Sequence, residues 1–339
     1  MIAIKYSGKH LPNYDAFCNL LQKKIENWIT LKYVGNKRSH ICMDTDTLFF
    51  FKLLGKVYSV SKLANLPAAE LAIVIDYIEY CFPQLANDRK AKEGNPKATT
   101  SILYKCIEMA FSNYGYDSSR FPSEELMNDL DLSVCPYCNR NFIKLIQVKH
   151  STHGNNIYVK GQLDHFYPRS LFPYLAICKH NLVPCCPSCN GPSGKHYENT
   201  KSKGIVNPYT LQDCCGLKFK MSILGKGFSN LNTCANAISI DIDCSNNPAM
   251  ANNENLFHLK ELYSAHTDYA AEVYYKYILR TPLAYKRFIG KKIINKGLSY
   301  NTKDFERILL GTYTNEMDYH KRPLSKFCAD IARQNNLIP

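Results

Sequence analysis

The sequence predicts an α+β protein that is mostly α-helical and carries a small β-containing core near its middle. Apolar residues recur at helical spacing toward both ends of the chain, whereas residues 132–207 contain paired cysteines, prolines and short β-type runs. We therefore divide the 339 residues into three regions. These are a helical N-terminal region (1–130), a central core (131–210), and a C-terminal region (211–339) with short strands followed by basic helices.

The N-terminal region shows helical patterns and one segment that interrupts them. Tyr14–Leu31 places apolar side chains on one face of a helix. A second helix is predicted to begin at Pro67 and to end near Cys81, with its apolar stripe at Leu71–Ile78. A further helix is predicted at Ser101–Tyr114, where Gly115 would end it. The intervening run NDRKAKEGNPK (87–97) is charged and contains glycine and proline, so it predicts an exposed loop or linker.

Short strands are predicted in the central and C-terminal regions. Two β-type runs flank the polar segment STHGNN (151–156), and this pattern predicts a β-hairpin. Leu217–Ser222 and Ile238–Ile242 are typical of two further strands. From Asn255 the chain is helical again, with one helix predicted at Leu283–Asn295.

The chain carries a formal net charge of +13, which indicates a polyanionic partner. Charge alone does not choose between DNA, RNA and an acidic protein. From residue 280 onward, twelve Lys and Arg stand against five Asp and Glu. Arg287, Lys291 and Lys292 in this part form a candidate helix face for backbone phosphates, and a solvated helix face is the alternative.

The fifteen cysteines do not form the pattern of a small disulfide scaffold, and an odd number cannot pair completely. The N-terminal stretch lacks the basic-then-apolar pattern of a signal peptide. No apolar run reaches the length of a transmembrane helix. We therefore expect a cytoplasmic protein without a membrane partner, whose cysteines bind metal or remain free.

Two Cys-x-x-Cys pairs give the strongest metal signal. CPYC at Cys135–Cys138 and CPSC at Cys186–Cys189 supply four thiolates, the number that a tetrahedral structural zinc needs. The long stretch between them predicts a folded insertion rather than a short finger. Free or redox-active cysteines are the alternative, and Cys185 is a rival ligand beside Cys186.

Residues suited to phosphodiester hydrolysis lie inside that insertion. Such hydrolysis needs a base to activate water and a cation at the scissile phosphate. Asp164 in LDHFYPRS offers a hard carboxylate oxygen suited to Mg²⁺, and its neighbour His165 can take a proton near neutral pH. Since neighbouring residues on a strand point to opposite faces, the two serve one site only if the strand twists or ends there. An ordinary surface pair is the alternative.

This arrangement resembles the HNH, or ββα-metal, nuclease family, in the branch that binds zinc. The matching residues are the Asp164–His165 pair, Asn181 at the start of NLVP, and Asn190 directly after the second cysteine pair. The resemblance covers roughly residues 132–207. It implies a catalytic Mg²⁺ or Mn²⁺ on Asp164 and Asn190. It also implies that His165 is the general base and that Asn181 orients this histidine.

A longer stretch is similar to HNH proteins of bacterial anti-phage systems, including the nuclease subunit of Septu-type systems and retron-associated effectors. It runs from DHFYPRS through CCPSCN and is followed by NPY at Asn207–Tyr209. GTY (Gly311–Tyr313) and KRPLSK (Lys321–Lys326) also resemble segments of larger relatives. Since such proteins typically work beside an ATPase, the resemblance implies a protein partner of that kind.

One departure from the family pattern concerns phosphate contacts near the site. Relatives usually carry a lysine three or four residues after the equivalent of Asn190, whereas GPSGKH places Lys195 at the fifth position. Lys195 and Arg169 are the candidate phosphate contacts here. For Arg169, a salt-bridged surface arginine is the alternative.

The sequence thus predicts a metal-dependent HNH endonuclease that acts on nucleic acid, with DNA as the favoured substrate and anti-phage defence as the role. Two alternatives stay open. One is an RNase of the same fold, for example one that cuts tRNA. The other is a non-catalytic, zinc-dependent subunit that binds nucleic acid or acts as a scaffold.

Overall fold

The computed structural model describes residues 1–5, 8–57, 59–144, 146–149, 156–159, 161–225, 229–279 and 301–339. About half of the chain is helical, and the strands of the described ranges form small antiparallel pairs. The predicted α+β class, mostly α-helical, is therefore confirmed. No helix within these ranges has the length and apolar character of a bilayer span.

The N-terminal region is built from helices and one short antiparallel strand pair. Its elements are α1 (Pro12–Leu31), β1 (Tyr33–Gly35), β2 (His40–Cys42), α2 (Thr45–Val57), α3 (Val60–Ala64), α4 (Leu71–Cys81), α5 (Pro83–Gly94), α6 (Ile102–Ile107), a π-helix (Glu108–Tyr116) and α7 (Ser123–Leu130). The helix predicted at Tyr14–Leu31 is confirmed as α1. The second predicted helix is confirmed as α4, but it begins at Leu71 rather than at Pro67. Pro12 begins α1, a position where its missing N–H leaves no hydrogen bond unmade.

The loop predicted at 87–97 is wrong for most of its length, because α5 continues to Gly94. Its charged side chains form ion pairs. The Arg89 guanidinium lies 2.6 Å from the Glu79 carboxylate on α4 and 2.9 Å from Glu93, one turn further along α5. The run of charges therefore marks a helix face held by paired ions rather than an irregular segment.

The helix predicted at Ser101–Tyr114 is present, but it changes type within its length. After α6 the backbone widens into the π-helix, which extends to Tyr116. Helices of this kind often occur at functional sites. Gly115 in the last turn allows close packing, since a Cβ at that position would come within 2.9 Å of the Ile177 side chain.

The central region contains two antiparallel strand pairs and a one-turn helix. Its elements are β3 (Ile146–Lys149), β4 (Asn156–Val159), β5 (Gln162–His165), β6 (Leu182–Cys185) and α8 (Pro187–Asn190). The hairpin predicted around residues 151–156 is confirmed by the pairing of β3 with β4. β5 pairs with β6 so that His165 lies opposite Leu182, and α8 follows directly after Cys186.

The C-terminal region combines one antiparallel strand pair with short helices. Its elements include β7 (Lys218–Ile223), α9 (Leu231–Asn236), β8 (Ile238–Asp243), α10 (Met250–Phe257), α11 (Leu259–Ser264), α12 (Thr267–Ile278), α13 (Thr302–Leu310) and α14 (Ser325–Gln334). The strands predicted at Leu217–Ser222 and Ile238–Ile242 are confirmed as β7 and β8. Outside the described residues lie the helix predicted at Leu283–Asn295 and its three candidate phosphate contacts, Arg287, Lys291 and Lys292.

Buried apolar side chains from all three regions form one continuous core, and the division into domains stays a prediction. The loop of the first cysteine pair links this core to the C-terminal segment. Asn139, directly after Cys138, is buried and has a left-handed backbone with φ of 52°. Its side-chain amide donates to the Tyr319 carbonyl at 2.9 Å and accepts from the Lys326 N–H at 3.1 Å. Its own carbonyl accepts from the Leu324 N–H at 2.7 Å.

We expect Asn139→Ala to lower the free energy of unfolding by about 2–4 kcal/mol. The change leaves two buried backbone groups without partners and places a Cβ-bearing residue without a local polar contact in the left-handed region. Urea denaturation measures the loss. Asn336→Ala is the matched control, because Asn336 has the same backbone conformation (φ 53°) but is exposed. It should cost about 1 kcal/mol. Equal losses for the two variants would contradict the bridging role of Asn139.

Candidate active site and metal centre

Four buried cysteine thiols lie close together near β5 and β6. The sulfurs of Cys135, Cys138, Cys186 and Cys189 all lie within 4.8 Å of one another. The Cys138 and Cys186 sulfurs are 3.9 Å apart, and tetrahedral zinc with Zn–S bonds of ~2.3 Å sets this separation at ~3.8 Å. The donor set and spacing therefore fit a structural zinc ion, as the two cysteine pairs predict.

The surroundings favour the thiolate form at Cys186, whereas burial raises the pKa of Cys135. The Asn141 amide donates to the Cys186 sulfur at 3.3 Å. Hydrogen bonds from neighbouring thiols, Cys135 first, also lower the pKa of Cys186. Cys185, the rival ligand, is not part of the four-thiol group, and burial raises the pKa of its thiol. Cys185 is therefore a core residue next to the centre.

The end of β5 brings Asp164 and His165 to one cavity. β5 stops at His165, so the alternation of an extended strand does not carry the two side chains to separate sites. The cavity has a volume of about 450 Å³ and is also lined by Asn190 and Lys195. The π-helix, including Tyr116, forms the facing wall.

Both oxygens of the Asp164 carboxylate have protein partners. Oδ1 accepts from the Lys195 ammonium at 2.8 Å, and Oδ2 accepts from the Tyr137 hydroxyl at 2.7 Å. The same ammonium donates to the His165 carbonyl at 2.7 Å. Asp164 and Lys195 are 3% and 1% exposed, so this ion pair is almost fully removed from water. Burial, followed by the nearby Asp164 charge, raises the pKa of Tyr137 and keeps its hydroxyl protonated as a donor.

His165 is held as a neutral ring with a defined tautomer. Its Nε2 lies 2.9 Å from the Ala176 carbonyl, which can only accept, so Nε2 carries the proton. Burial lowers the pKa of His165 to about 3. Tyr116 packs edge-to-face on the imidazole, with ring centroids 4.4 Å apart. The remaining nitrogen, Nδ1, therefore carries the lone pair. The low pKa of His165 departs from the proton uptake near neutral pH that the sequence predicts, because burial disfavours the charged ring.

Asn181 fixes the chain between β5 and β6. Its Oδ1 accepts from the Tyr167 N–H at 2.7 Å, and its Nδ2 donates to the Tyr167 and Leu175 carbonyls at 3.0 and 3.2 Å. Its own carbonyl accepts from the Phe166 N–H, directly after His165. Asn181 is completely buried and thus shapes the loop that presents Ala176 to the histidine.

The other predicted site residues lie at the cavity rim. Asn190 ends α8, and its amide donates to Gln162 Oε1 at 2.8 Å. Arg169 pairs with Asp117 at 2.7 Å, and its guanidinium lies 5.1 Å from the centroid of the Tyr116 ring. The structure thus gives Arg169 the salt bridge that the sequence leaves as an alternative. The phosphate contacts of Arg169 and Lys195 stay predictions. The Lys195 ammonium already pairs with Asp164.

Two residues that touch the site escape the sequence analysis. Tyr137 lies within CPYC, where its position between two predicted ligands is the available signal. Tyr116 lies just beyond a predicted helix end, and nothing in the neighbouring sequence indicates a functional role. Its contact with His165 depends on the π-helical backbone. Oxygen donors for a hard cation come from Asp164 and Asn190, which line the same cavity.

Comparisons with known proteins give one short similarity. Over 47 residues, 14% of this chain, the sequence is 38% identical to the Septu protein PtuB of Bacillus thuringiensis. The matched part spans 18% of that protein's length. No protein-family model matches the chain, and no solved structure matches it.

We expect purified protein to contain one zinc ion per chain, held by the four clustered thiols. Cys138→Ser should lose the zinc and lower the unfolding midpoint, because metal binding and folding of such a site are linked. Cys185→Ser, the matched control, should keep the zinc, since this thiol is outside the group. Elemental analysis and thermal melting measure both effects. Wild-type protein without zinc, or zinc loss only in Cys185→Ser, would contradict this ligand set.

We expect Lys195→Met to destabilise the protein by about 3–5 kcal/mol, because it leaves the buried Asp164 carboxylate without its counter-charge. Lys203→Met is the control, since its pair with Glu198 is half exposed and should contribute less than about 1 kcal/mol. Chemical denaturation without added magnesium compares the two. Equal midpoints would show that Asp164 does not depend on Lys195.

Proposed function

We propose that this protein is a metal-dependent endonuclease of the HNH type, which hydrolyses phosphodiester bonds in nucleic acid. DNA is its favoured substrate. The observation that carries the proposal is the convergence of Asp164, His165 and Asn190 on one cavity, with His165 neutral and its Nδ1 available. A carboxylate, an amide oxygen and a neutral base are the groups that such hydrolysis requires.

Asp164 and Asn190 offer oxygen donors of the kind that a hard divalent cation takes. The cation would have to displace Lys195 or Tyr137 from the Asp164 carboxylate. Asp164 and Asn190 would hold Mg²⁺ or Mn²⁺, whose chemistry in such sites is to stabilise negative charge on the phosphate and the departing oxygen. Lys195 already neutralises one charge at Asp164, so the protein presents little net negative charge to a cation. Binding of the cation is therefore expected to be weak without the phosphate of a substrate.

The protein's own residues define the proton transfer. In the proposed reaction, Nδ1 of His165 removes a proton from the attacking water, while Nε2 keeps its proton on the Ala176 carbonyl. Asn181 holds the loop that carries this carbonyl. Tyr116 limits rotation of the imidazole from its other side. Each of these contacts is already present in the protein, so little reorganisation is needed at the moment of reaction.

We expect His165→Ala to reduce cleavage by at least about a hundredfold, in line with the loss of a general base. Zinc content should stay close to wild type, because His165 is not a ligand of the thiol cluster. The unfolding midpoint should fall moderately, because the buried Ala176 carbonyl loses its partner. His40→Ala is the control, since His40 is exposed on β2, and it should cleave like wild type. The assay uses plasmid, single-stranded DNA and total RNA with Mg²⁺ or Mn²⁺.

The substrates in this assay separate the possible outcomes. Cleavage of RNA alone would replace DNA by RNA as the substrate of the same site. Full activity of His165→Ala would remove the proposed base. Binding without cleavage of any substrate would favour a non-catalytic zinc-dependent subunit.

We further propose a role in anti-phage defence together with a protein partner, an ATPase subunit being the expected kind. The similarity to Septu protein PtuB supports this proposal. The sequence outside the central core is long enough to form an interface of ~800 Å² per partner. Co-purification with the products of neighbouring genes at low and high salt tests it. A chain that purifies alone at both salts and cleaves at full rate would contradict partner control.

A further inference from the structure

A second cavity lies on the opposite side of the π-helix segment from the candidate active site. It has a volume of about 270 Å³ and is formed by α1, the last turn of the π-helix and the residues that follow it. Three cationic side chains line it, Lys23 and Lys24 on α1 and Arg120 beyond the π-helix. Its apolar floor includes Leu20, which is 48% exposed. We call this cavity the basic groove.

The cations of the basic groove have no acidic partners in the described part of the chain. Lys23, Lys24 and Arg120 are exposed, and none of them lies within 4.0 Å of a carboxylate there. Lys24 lies 5.1 Å from the centroid of the Tyr114 ring, and Asn36 donates to the Tyr114 hydroxyl at 3.0 Å. The groove thus presents concentrated positive charge that no carboxylate of the described residues neutralises.

The basic groove and the active-site cavity share one short segment of backbone. Asn113, Tyr116 and Asp117 line the active-site cavity, whereas Tyr114 and Ser118 line the groove. Residues that line the active-site cavity and residues that line the groove are therefore neighbours in the sequence, so the two cavities lie along one short stretch of chain.

Arg169 contacts the segment of chain that lies between the two cavities. Arg169 on the active-site side packs on Tyr116 and pairs with Asp117. The acidic residue at the boundary is therefore already neutralised. Glu108, at the start of the π-helix, is a second carboxylate residue that lines the active-site cavity.

We propose that a nucleic-acid strand bound at His165 continues over residues 113–118 into the basic groove. There Lys23, Lys24 and Arg120 contact its backbone phosphates. This inference rests on the proposed function and adds a path for the strand. A linear polyanion suits the geometry, because it places phosphates in both cavities at once, whereas a single small anion fills one. Contacts of this kind position the strand without reading its sequence.

The test measures binding separately from cleavage. Binding is followed by fluorescence anisotropy in a His165→Ala background, with labelled single-stranded and duplex DNA of about 20 nucleotides, between about 50 and 200 mM salt. The groove variant combines Lys23→Glu, Lys24→Glu and Arg120→Glu. The control variant combines Lys52→Glu, Lys56→Glu and Lys62→Glu, exposed lysines on α2 and α3, and changes the net charge equally.

We expect the groove variant to bind at least about tenfold more weakly at low salt, and the control variant to bind within about twofold of its parent. The slope of log affinity against log salt should fall by about 2–3, since each lost phosphate contact contributes ~0.7–0.9. Zinc content and unfolding midpoint verify that both variants fold.

Cleavage by the same variants with His165 intact distinguishes the two proposals. If the protein cleaves and both triple variants bind with the same affinity and salt slope, the groove is not the path, and the proposed function stands. If the intact protein cleaves no nucleic acid, the proposed function fails, whatever the groove binds. Groove-dependent binding of an acidic protein in place of nucleic acid would overturn the inference in favour of a protein interface.

Discussion

The loop that carries the first cysteine pair is the element on which the rest of the structure depends. Within five residues it supplies two thiols of the metal centre, the Tyr137 hydroxyl that binds Asp164, and Asn139, which holds the C-terminal segment. The Pro136 carbonyl accepts from the Ile2 N–H, and the Cys138 carbonyl accepts from the Tyr263 hydroxyl. Folding of this loop around a metal ion would therefore order distant parts of the chain together.

The Asp164–Lys195 pair determines the electrostatics of the candidate active site. A buried carboxylate alone is costly, and here an ammonium and a phenol hydroxyl compensate it. Because Tyr137 comes from the cysteine loop and Lys195 from the segment after α8, the carboxylate joins the two halves of the metal centre. The positions of its two partners thus depend on the integrity of that centre.

Much of the fold is visible in the sequence, because cysteine spacing, apolar periodicity and hairpin turns are local signals. The thiol cluster, α1, most of α4, the β3–β4 hairpin and the strands β7 and β8 follow from them, whereas β1, β2 and β6 do not. Ion pairs between residues that are distant in sequence leave no local signal. The sequence therefore does not predict the Arg89–Glu79 pair of α5 or the Lys195–Asp164 pair. The π-helix is missed for a related reason, since its wider turns arise from packing rather than from composition.

The π-helix gives the protein an unusual sensitivity to chain length. Each α-helical residue turns the backbone by ~100°, so removing one residue from Glu108–Tyr116 would re-aim every side chain after it. Tyr116 would leave His165, and Arg120 would leave α1. Insertions and deletions in this segment are therefore expected to be rarer among homologous sequences than substitutions. The number of residues, more than their identity, sets the relation between the two cavities.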